Sequence, residues 1–286
     1  CQDLWTRYST PKWIVEQWME QYGEEKTLQM LAGQYKQRPL TIRANLLKTT
    51  KEQLKEQLQA EGVCVQEVDG TACALSISDY DHLRALSSFR EGLFQVQDVS
   101  SMQAALLAAP KAGDYCIDVC AAPGGKSLHL AELMRGTGFV EARDLTLEKV
   151  ALSEENIARM GTENIKALQM DATIFDEGSI QRADVVLADL PCSGLGVLGK
   201  KRDLKYRISR EQQKELVILQ RLILDTVCRY VKPGGTLLYS TCTVHKEENE
   251  ENTRWFLAGH PFVLKKEVQM LPGMGLWDGF YIAKME

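Results

Sequence analysis

From Tyr115 onward the sequence alternates between two hydrophobic periods, and this constrains the fold more than any other feature. Apolar runs of strand length, "YCIDVC", "GFVEARD", "IKALQMD", "ADVVLADL" and "GTLLYSTC", are interspersed with stretches of helical spacing, "GKSLHLAELM", "LEKVALSEENIARMG" and the long "REQQKELVILQRLILDTVCRYV". Strands that return through helices pair in parallel, because a parallel connection must cross over the sheet. Residues 96–286 are therefore expected to form an α/β domain with a doubly wound, Rossmann-like sheet. The tail segments "FVLKKE" and "GFYIAKME" are expected to finish its edge. The chain shows no internal repeat and no low-complexity linker.

The sequence ahead of this region is organised differently. From Thr10 to about Leu31, Trp13, Ile14, Trp18, Met19, Leu28 and Leu31 recur at helical spacing after a Ser-Thr-Pro entry, which predicts two short helices around Gly23. "LTIRANLL" reads as a strand, "KEQLKEQLQAEG" as a helix closed by Gly62, and "VCVQEVDGTACALSI" as a hairpin turning at Asp69-Gly70. Residues 1–95 are expected to form a small N-terminal α+β domain.

The totals exclude several classes. With 286 residues, 44% of them hydrophobic, the chain can bury a sizeable core. No run approaches the roughly 18 apolar residues of a membrane helix, and the amino terminus carries no signal-peptide pattern, so a cytoplasmic location and no membrane contact are expected. Because the chain opens on Cys1 instead of methionine, an upstream segment is expected too. The eight cysteines are too scattered for a disulfide framework, and no paired Cys-x-x-Cys units with histidine partners suggest zinc, so reduced thiols and no metal are expected. Lys and Arg number 34 against 39 Asp and Glu, a formal charge of −5, so any RNA contact must be local. The candidate is "GKKRDLKYRISR", which gathers Lys200, Lys201, Arg202, Lys205, Arg207 and Arg210 around Tyr206; a merely solvated loop is the alternative.

The first strand and helix of the larger region meet in "DVCAAPGGKS", Asp118 to Ser127, where a doubly wound sheet holds its ligand. Cys120, Ala121, Ala122, Pro123, Gly124, Gly125 and Lys126 form the candidate binding turn, whose glycines let a ligand approach the backbone. It is not a phosphate-binding P-loop, because Cys120 stands where that pattern needs glycine, and it lacks Gly-x-Gly-x-x-Gly. Carboxylates end the next strands: Asp144 after "GFVEAR", Asp171 after "ALQM" and Asp189 after "VVLA". Asp144 lies twenty positions beyond Gly124, the separation at which a carboxylate accepts hydrogen bonds from ribose hydroxyls, and Asp171 is a candidate for an adenine amino group. A ligand with a ribose and an adenine but no phosphate, S-adenosylmethionine (SAM), fits this set.

Two further strand-like runs end on cysteines. "ADVVLADLPCSG" carries Cys192 and "LLYSTCTVHKEENE" carries Cys242. Free cysteines are usually small core residues, and Cys116 and Cys228 are read that way. In order, "CAAPGGKS", "DLPCSGLG", "STCT" followed by "EEN", and the closing "DGFYIAKM" resemble the RNA cytosine-5 methyltransferases, most closely the bacterial RsmB/Sun/Fmu branch, which methylates small-subunit ribosomal RNA. The likeness spans nearly the whole chain, since "TPKWIVEQWMEQYGEE" and "LTIRANLLK" are similar to that branch's small, RNA-recognition domain.

The resemblance implies a SAM-dependent methyltransferase sheet, a SAM pocket from Cys120 to Lys126 with Asp144, Asp171 and Asp189, and methyl transfer to carbon 5 of a cytosine in 16S rRNA. Carbon 5 is too poor a nucleophile to take a methyl group unaided. A thiolate that adds to carbon 6 activates it, and a second group assists release once the carbon-5 proton is lost. Spacing does not assign the two thiols: DNA cytosine methyltransferases attack with the Pro-Cys cysteine, whereas the family resembled here implies attack by Cys242 and release by Cys192. Asp189 is then placed to hydrogen-bond ring nitrogen 3. The chain departs from the family in lacking a proline within "KKRDLKY" and another at Lys246, and the branch's usual upstream helical RNA-binding domain is not visible before Cys1. Two other readings compete. Transfer to an exocyclic amine or a protein side chain typically goes with an Asp/Asn-Pro-Pro-aromatic motif, where this chain has Asp189-Leu190-Pro191-Cys192. A noncatalytic RNA-binding or ribosome-assembly module would retain the pocket alone.

Overall fold

Helical spacing at the start of the chain becomes helix in a computed structural model that describes residues 3–68 and 71–286. α1 (Leu4–Arg7) precedes α2 (Lys12–Gly33), which is broken at Gly23, where φ is +77°, into the two pieces expected there. β1 (Leu40–Ala44), α3 (Lys51–Ala60), β2 (Cys64–Glu67), β3 (Ala74–Ser78), α4 (Ser87–Arg90) and β4 (Phe94–Val96) follow. α3 opens on a capping box between Thr50 and Gln53. The strands make an antiparallel sheet of order β2-β3-β1-β4 that packs on Leu54 and Leu58 of α3. β2 pairs with β3 in the expected hairpin sense; the Asp69-Gly70 turn lies outside the described residues.

A helix that the sequence reading did not find, α5 (Val99–Ala108), leads into the larger sheet. It is rich in small apolar residues and has little polar face, so it offers no amphipathic period. Then come β5 (Tyr115–Asp118), α6 (Gly125–Leu133), β6 (Phe139–Asp144), α7 (Leu147–Met160), β7 (Ile165–Gln169), β8 (Ala183–Asp189), α8 (Leu204–Arg207), α9 (Arg210–Val227), β9 (Val231–Thr241), α10 (Glu250–Gly259), β10 (Leu264–Met270) and β11 (Phe280–Met285). The strand order is β10-β11-β9-β8-β5-β6-β7. β5 to β9 are parallel, as expected, while β11 inserts antiparallel between β9 and β10, so the sheet is mixed. Successive residues feed opposite faces: Val186 and Leu237 join Leu224 and Phe256 on one side, Leu187 and Leu238 join Leu130 and Val140 on the other.

Because β5 lies between β6 and β8, the connections leaving β5 and β8 diverge and leave a crevice at their carboxyl ends. Two packing units border it. Ile14, Trp18 and Leu31 of α2 share an apolar cluster with Leu195, Leu198 and Val244, just beyond Cys192 and Cys242, and Tyr22 Oη donates to the Val244 carbonyl at 2.6 Å. The four-stranded sheet is fastened to α6 and α7 by the buried Arg43–Glu132 ion pair and by Asn45 Nδ2, which donates to the Gly92 and Met160 carbonyls. Gly92 (φ +69°) permits this approach, since a Cβ there would sit 2.0 Å from the Arg159 carbonyl oxygen.

Candidate active site

The motifs converge at the carboxyl ends of β5, β6, β8 and β9. The turn after β5 borders a cavity of about 210 Å³, also lined by Gln97, Asp98, Asp118 and Asp189. Gly124 starts α6 from φ +95°, a conformation that costs glycine little, and a Cβ on Gly125 would stand 3.9 Å from Gln97 Cδ across the cleft. Asp118 lies at the base of the turn and accepts from Ser127 Oγ at 2.6 Å; burial pushes its carboxyl up to about 7, against the opposing pull of Ser127 and Lys126. Asp98, Asp118 and Asp189 outnumber the cavity's lysine, Lys126, whose Nζ is bound to Asp189 Oδ2 at 2.5 Å. The residue that a P-loop would turn to phosphate is thus held by a carboxylate, and the set suits a phosphate-free ligand with cationic groups, as SAM is.

The sequence-predicted turn residues Cys120, Ala121, Ala122, Pro123, Gly125 and Lys126 line this cavity. Asp144 and Asp171 are not among its lining residues. Asp144 is buried behind the turn, accepting from the Ala122 and Leu145 amides at 2.9 and 2.8 Å and pairing with Lys149 at 3.1 Å. Asp171 accepts from the amide and hydroxyl of Thr173 at 2.8 and 2.6 Å. Conversely, the sequence reading did not single out Gln97, Asp98 or Asp118. Asp118 carried a signal, since it ends the strand that enters the turn; Gln97 and Asp98 come from the β4–α5 connection, which has no motif.

Past the cavity, Cys192 Sγ and Cys242 Sγ stand 3.3 Å apart although fifty residues separate them. Asp189 joins them, its second oxygen accepting from Ser240 Oγ at 2.8 Å. The two thiols differ electrostatically. The hydrogen bond from Cys192 holds the Cys242 thiol below its ordinary range, against burial and the Asp189 charge, and Lys126 pulls the same way. That same bond, with burial, the Cys242 charge and Glu248, pushes Cys192 well up. Burial pulls Lys126 down most strongly, but Asp189, Asp118 and Cys242 together raise it above its ordinary value, so it stays cationic. The contact itself lets either sulfur donate; the opposed directions favour Cys242 as the thiolate and Cys192 as the S–H donor.

Close backbone contact fixes the cysteine loops. Gly196 N–H donates to the Cys242 carbonyl at 3.0 Å, and Gly279 N–H donates to the Gly196 carbonyl at 2.8 Å. A Cβ at Gly196 would lie 2.1 Å from the Gly279 oxygen and 2.7 Å from the Cys242 oxygen, and one at Gly279 would lie 2.7 Å from Gly196 Cα, which explains the second glycine of "SGLG" and that of "DGF". The basic segment differs from its sequence reading. Lys200 is tied to Asp98 and Asp278 at 2.6 and 2.7 Å, and Lys205 is buried with Nζ 3.4 Å from Gln34 Oε1, so these two hold structure; Lys201, Arg202, Arg207 and Arg210 remain at the surface. Among the described residues the cysteines are free, no group of side chains could hold a metal ion, and no helix is long and apolar enough to cross a membrane.

The chain is similar to known proteins in sequence and fold. Residues 105–286 match the family model of "16S rRNA methyltransferase RsmB/F", and residues 10–80 match that of the RsmF/B-like, ferredoxin-like domain. The "Probable ribosomal RNA small subunit methyltransferase B" of Bacillus subtilis is 35% identical over 301 residues, an overlap of 99% of this chain and 67% of that protein. The crystal structure of PH0851 is 34% identical, with a TM-score of 0.95 over 100% of this chain and 68% of the other. NSun6 from Pyrococcus horikoshii, solved with SFG, has the same fold at 24% identity, with a TM-score of 0.89 over 96% of this chain and 98% of its own.

Proposed function

Because the chain belongs to the RsmB/F family of 16S rRNA methyltransferases, we propose that it methylates carbon 5 of a cytosine in small-subunit ribosomal RNA through a covalent adduct on Cys242. The observation that carries this reading is the pair of thiols 3.3 Å apart beside the Lys126–Asp189 ion pair. Methylation of an amine needs no thiol, and a noncatalytic module has no use for two thiols of opposite tendency. The methyl donor is SAM, which when bound supplies the electrophilic methyl group that carbon 5 takes up. The turn from Cys120 to Lys126, with Gln97, Asp98 and Asp118, would hold it, and Asp144 would support the turn from behind.

The chain's own residues do the rest. Cys242, as thiolate, adds to carbon 6, and the displaced ring electrons enrich carbon 5. Asp189, steadied by Lys126 and Ser240, accepts a hydrogen bond from ring nitrogen 3 once that nitrogen takes a proton from solvent as electrons move onto it in the adduct, and the proton returns to solvent when the product leaves. The Cys192 hydrogen bond, with the Lys126 charge, favours the thiolate form of Cys242 before attack. After methylation, loss of the carbon-5 proton to solvent restores the ring double bond as the carbon 6–sulfur bond breaks. Cys192, donating its S–H to the departing sulfur, helps the product leave. Incubating the chain with labelled SAM and deproteinised or partly assembled small-subunit RNA should yield 5-methylcytidine; label confined to any other nucleoside would refute the reading.

Two variants test the supporting parts. Asp144→Ala strips the Ala122 amide of its partner and so loosens the turn from behind, and SAM affinity should fall by about 1–3 kcal/mol. Unchanged affinity in calorimetry would remove Asp144 from the site. Changing the surface residues Lys201, Arg202 and Arg207 together to glutamine should weaken RNA binding and reduce its salt slope by roughly one unit per lost phosphate contact, with SAM affinity unaltered. An equal slope in a salt titration would make the loop plain solvated surface.

A further inference from the structure

Glu248, six residues beyond Cys242, is completely buried and takes no part in the steps above. Its Oε2 accepts from the Ser193 amide at 2.8 Å and from Gln220 Nε2 at 3.1 Å, and its Oε1 accepts from the Ser193 hydroxyl at 2.5 Å. Ser193 directly follows Cys192, and its hydroxyl lies 2.7 Å from Thr243 Oγ1, which directly follows Cys242. Gln220, from α9, also donates to the Pro191 carbonyl at 2.8 Å. One side chain thus fastens the loops of both thiols. We propose that Glu248 is a positioning residue, which clamps the Pro191–Cys192 loop to the Thr241–Cys242 loop and sets a buried negative charge on the Cys192 side of the pair.

The surrounding charges support this assignment. Lys126 and Asp189 face the thiols from the Cys242 side. On the other side stand Glu248, His245, whose Nδ1 is 3.3 Å from Oε1 without a hydrogen bond, and the Tyr239 hydroxyl, which donates to the Glu248 carbonyl. Among the described residues no lysine or arginine forms an ion pair with Glu248, so its charge is not cancelled where it meets Cys192. Glu248 adds to the forces that push the Cys192 thiol up, and its similar effect on Cys242 is opposed by Lys126. This rests on the proposed function, in which Cys192 must remain the S–H donor while Cys242 ionises.

Glu248→Gln removes the charge with little change of shape. The Ser193 hydroxyl can reverse to accept the new N–H, while the amide oxygen still accepts from the Ser193 amide and Gln220. In the full chain carrying Cys242→Ala, with neither RNA nor SAM, the pH midpoint for iodoacetamide alkylation of Cys192, followed on its peptide by mass spectrometry, should move down by about one unit when Glu248→Gln is added. With Cys242 intact, Glu248→Gln should lower kcat about tenfold with KM for RNA changed less than about twofold, and Ser193→Ala should lower kcat about threefold with SAM binding retained. An unmoved Cys192 midpoint, or an unchanged kcat in Glu248→Gln, overturns the charge assignment, and an unchanged kcat in Ser193→Ala overturns the clamp. Should Glu248→Gln fail to fold, Ser193→Ala decides. Alkylation needs no substrate, so it separates a failed clamp from a failed assignment of the methylated RNA.

Discussion

Alanine at Cys242 is expected to lower methyl transfer by at least about 10⁴-fold, because it removes the only bond through which carbon 5 becomes nucleophilic. SAM binding should persist, since Cys242 is not among the residues that line the cavity. The fold should survive as well: the Cys242 carbonyl, not its side chain, accepts from Gly196. Alanine at Cys192 should act differently. Lys126 still favours the Cys242 thiolate, so attack continues at a reduced rate, but the departing sulfur loses its S–H donor and the protein accumulates as an RNA adduct. The double variant should behave like Cys242→Ala, because release is irrelevant where no adduct forms. Equal loss of methyl transfer without adduct in both single variants would sink this division of roles.

Lys126→Met is the second large effect. The cation favours the charged form of Cys242, so its removal raises that thiol, and less thiolate is present at neutral pH. At saturating SAM, kcat/KM for RNA at pH 7 should fall about tenfold, and the rising limb of the pH–rate profile should move up by about one unit, so that activity recovers in alkali. Lys126→Arg keeps the charge and should restore the position of the limb. A profile lowered evenly at every pH would show that Lys126 serves only to build the cavity. The test separates electrostatic from structural effects because Asp189, the lysine's partner, keeps its Ser240 hydrogen bond in either variant.

What the sequence carried was mainly the ends of strands. "DVCAAPGGKS", "DLPCSG" and "STCT" each follow a strand with an unmistakable apolar run, so the meeting of their side chains follows from the parallel order once the crevice beside β5 is recognised. Contacts made by chance of packing were not readable in the same way. Lys200 and Lys205 look like free charge in a basic run, yet their partners Asp98, Asp278 and Gln34 come from distant parts of the chain. Asp144 has the spacing of a ribose ligand, but its place behind the turn depends on the path of the Ala122 amide. α5 had no polar stripe to reveal it, and with it went Gln97 and Asp98 at its entry. Glu248 stood within "EEN" without any sign that its carboxylate reaches Ser193 across fifty-five residues.

The central claim is that Cys242 attacks and Cys192 releases. The most direct measurement is a denaturing gel of the two single variants after incubation with SAM and labelled small-subunit RNA, with the cross-linked peptide then identified by mass spectrometry. The account predicts a denaturant-resistant band from Cys192→Ala, with a methylated pyrimidine joined to the peptide containing Cys242, and no band from Cys242→Ala. A band from Cys242→Ala with the nucleotide on Cys192, and none from Cys192→Ala, would contradict it.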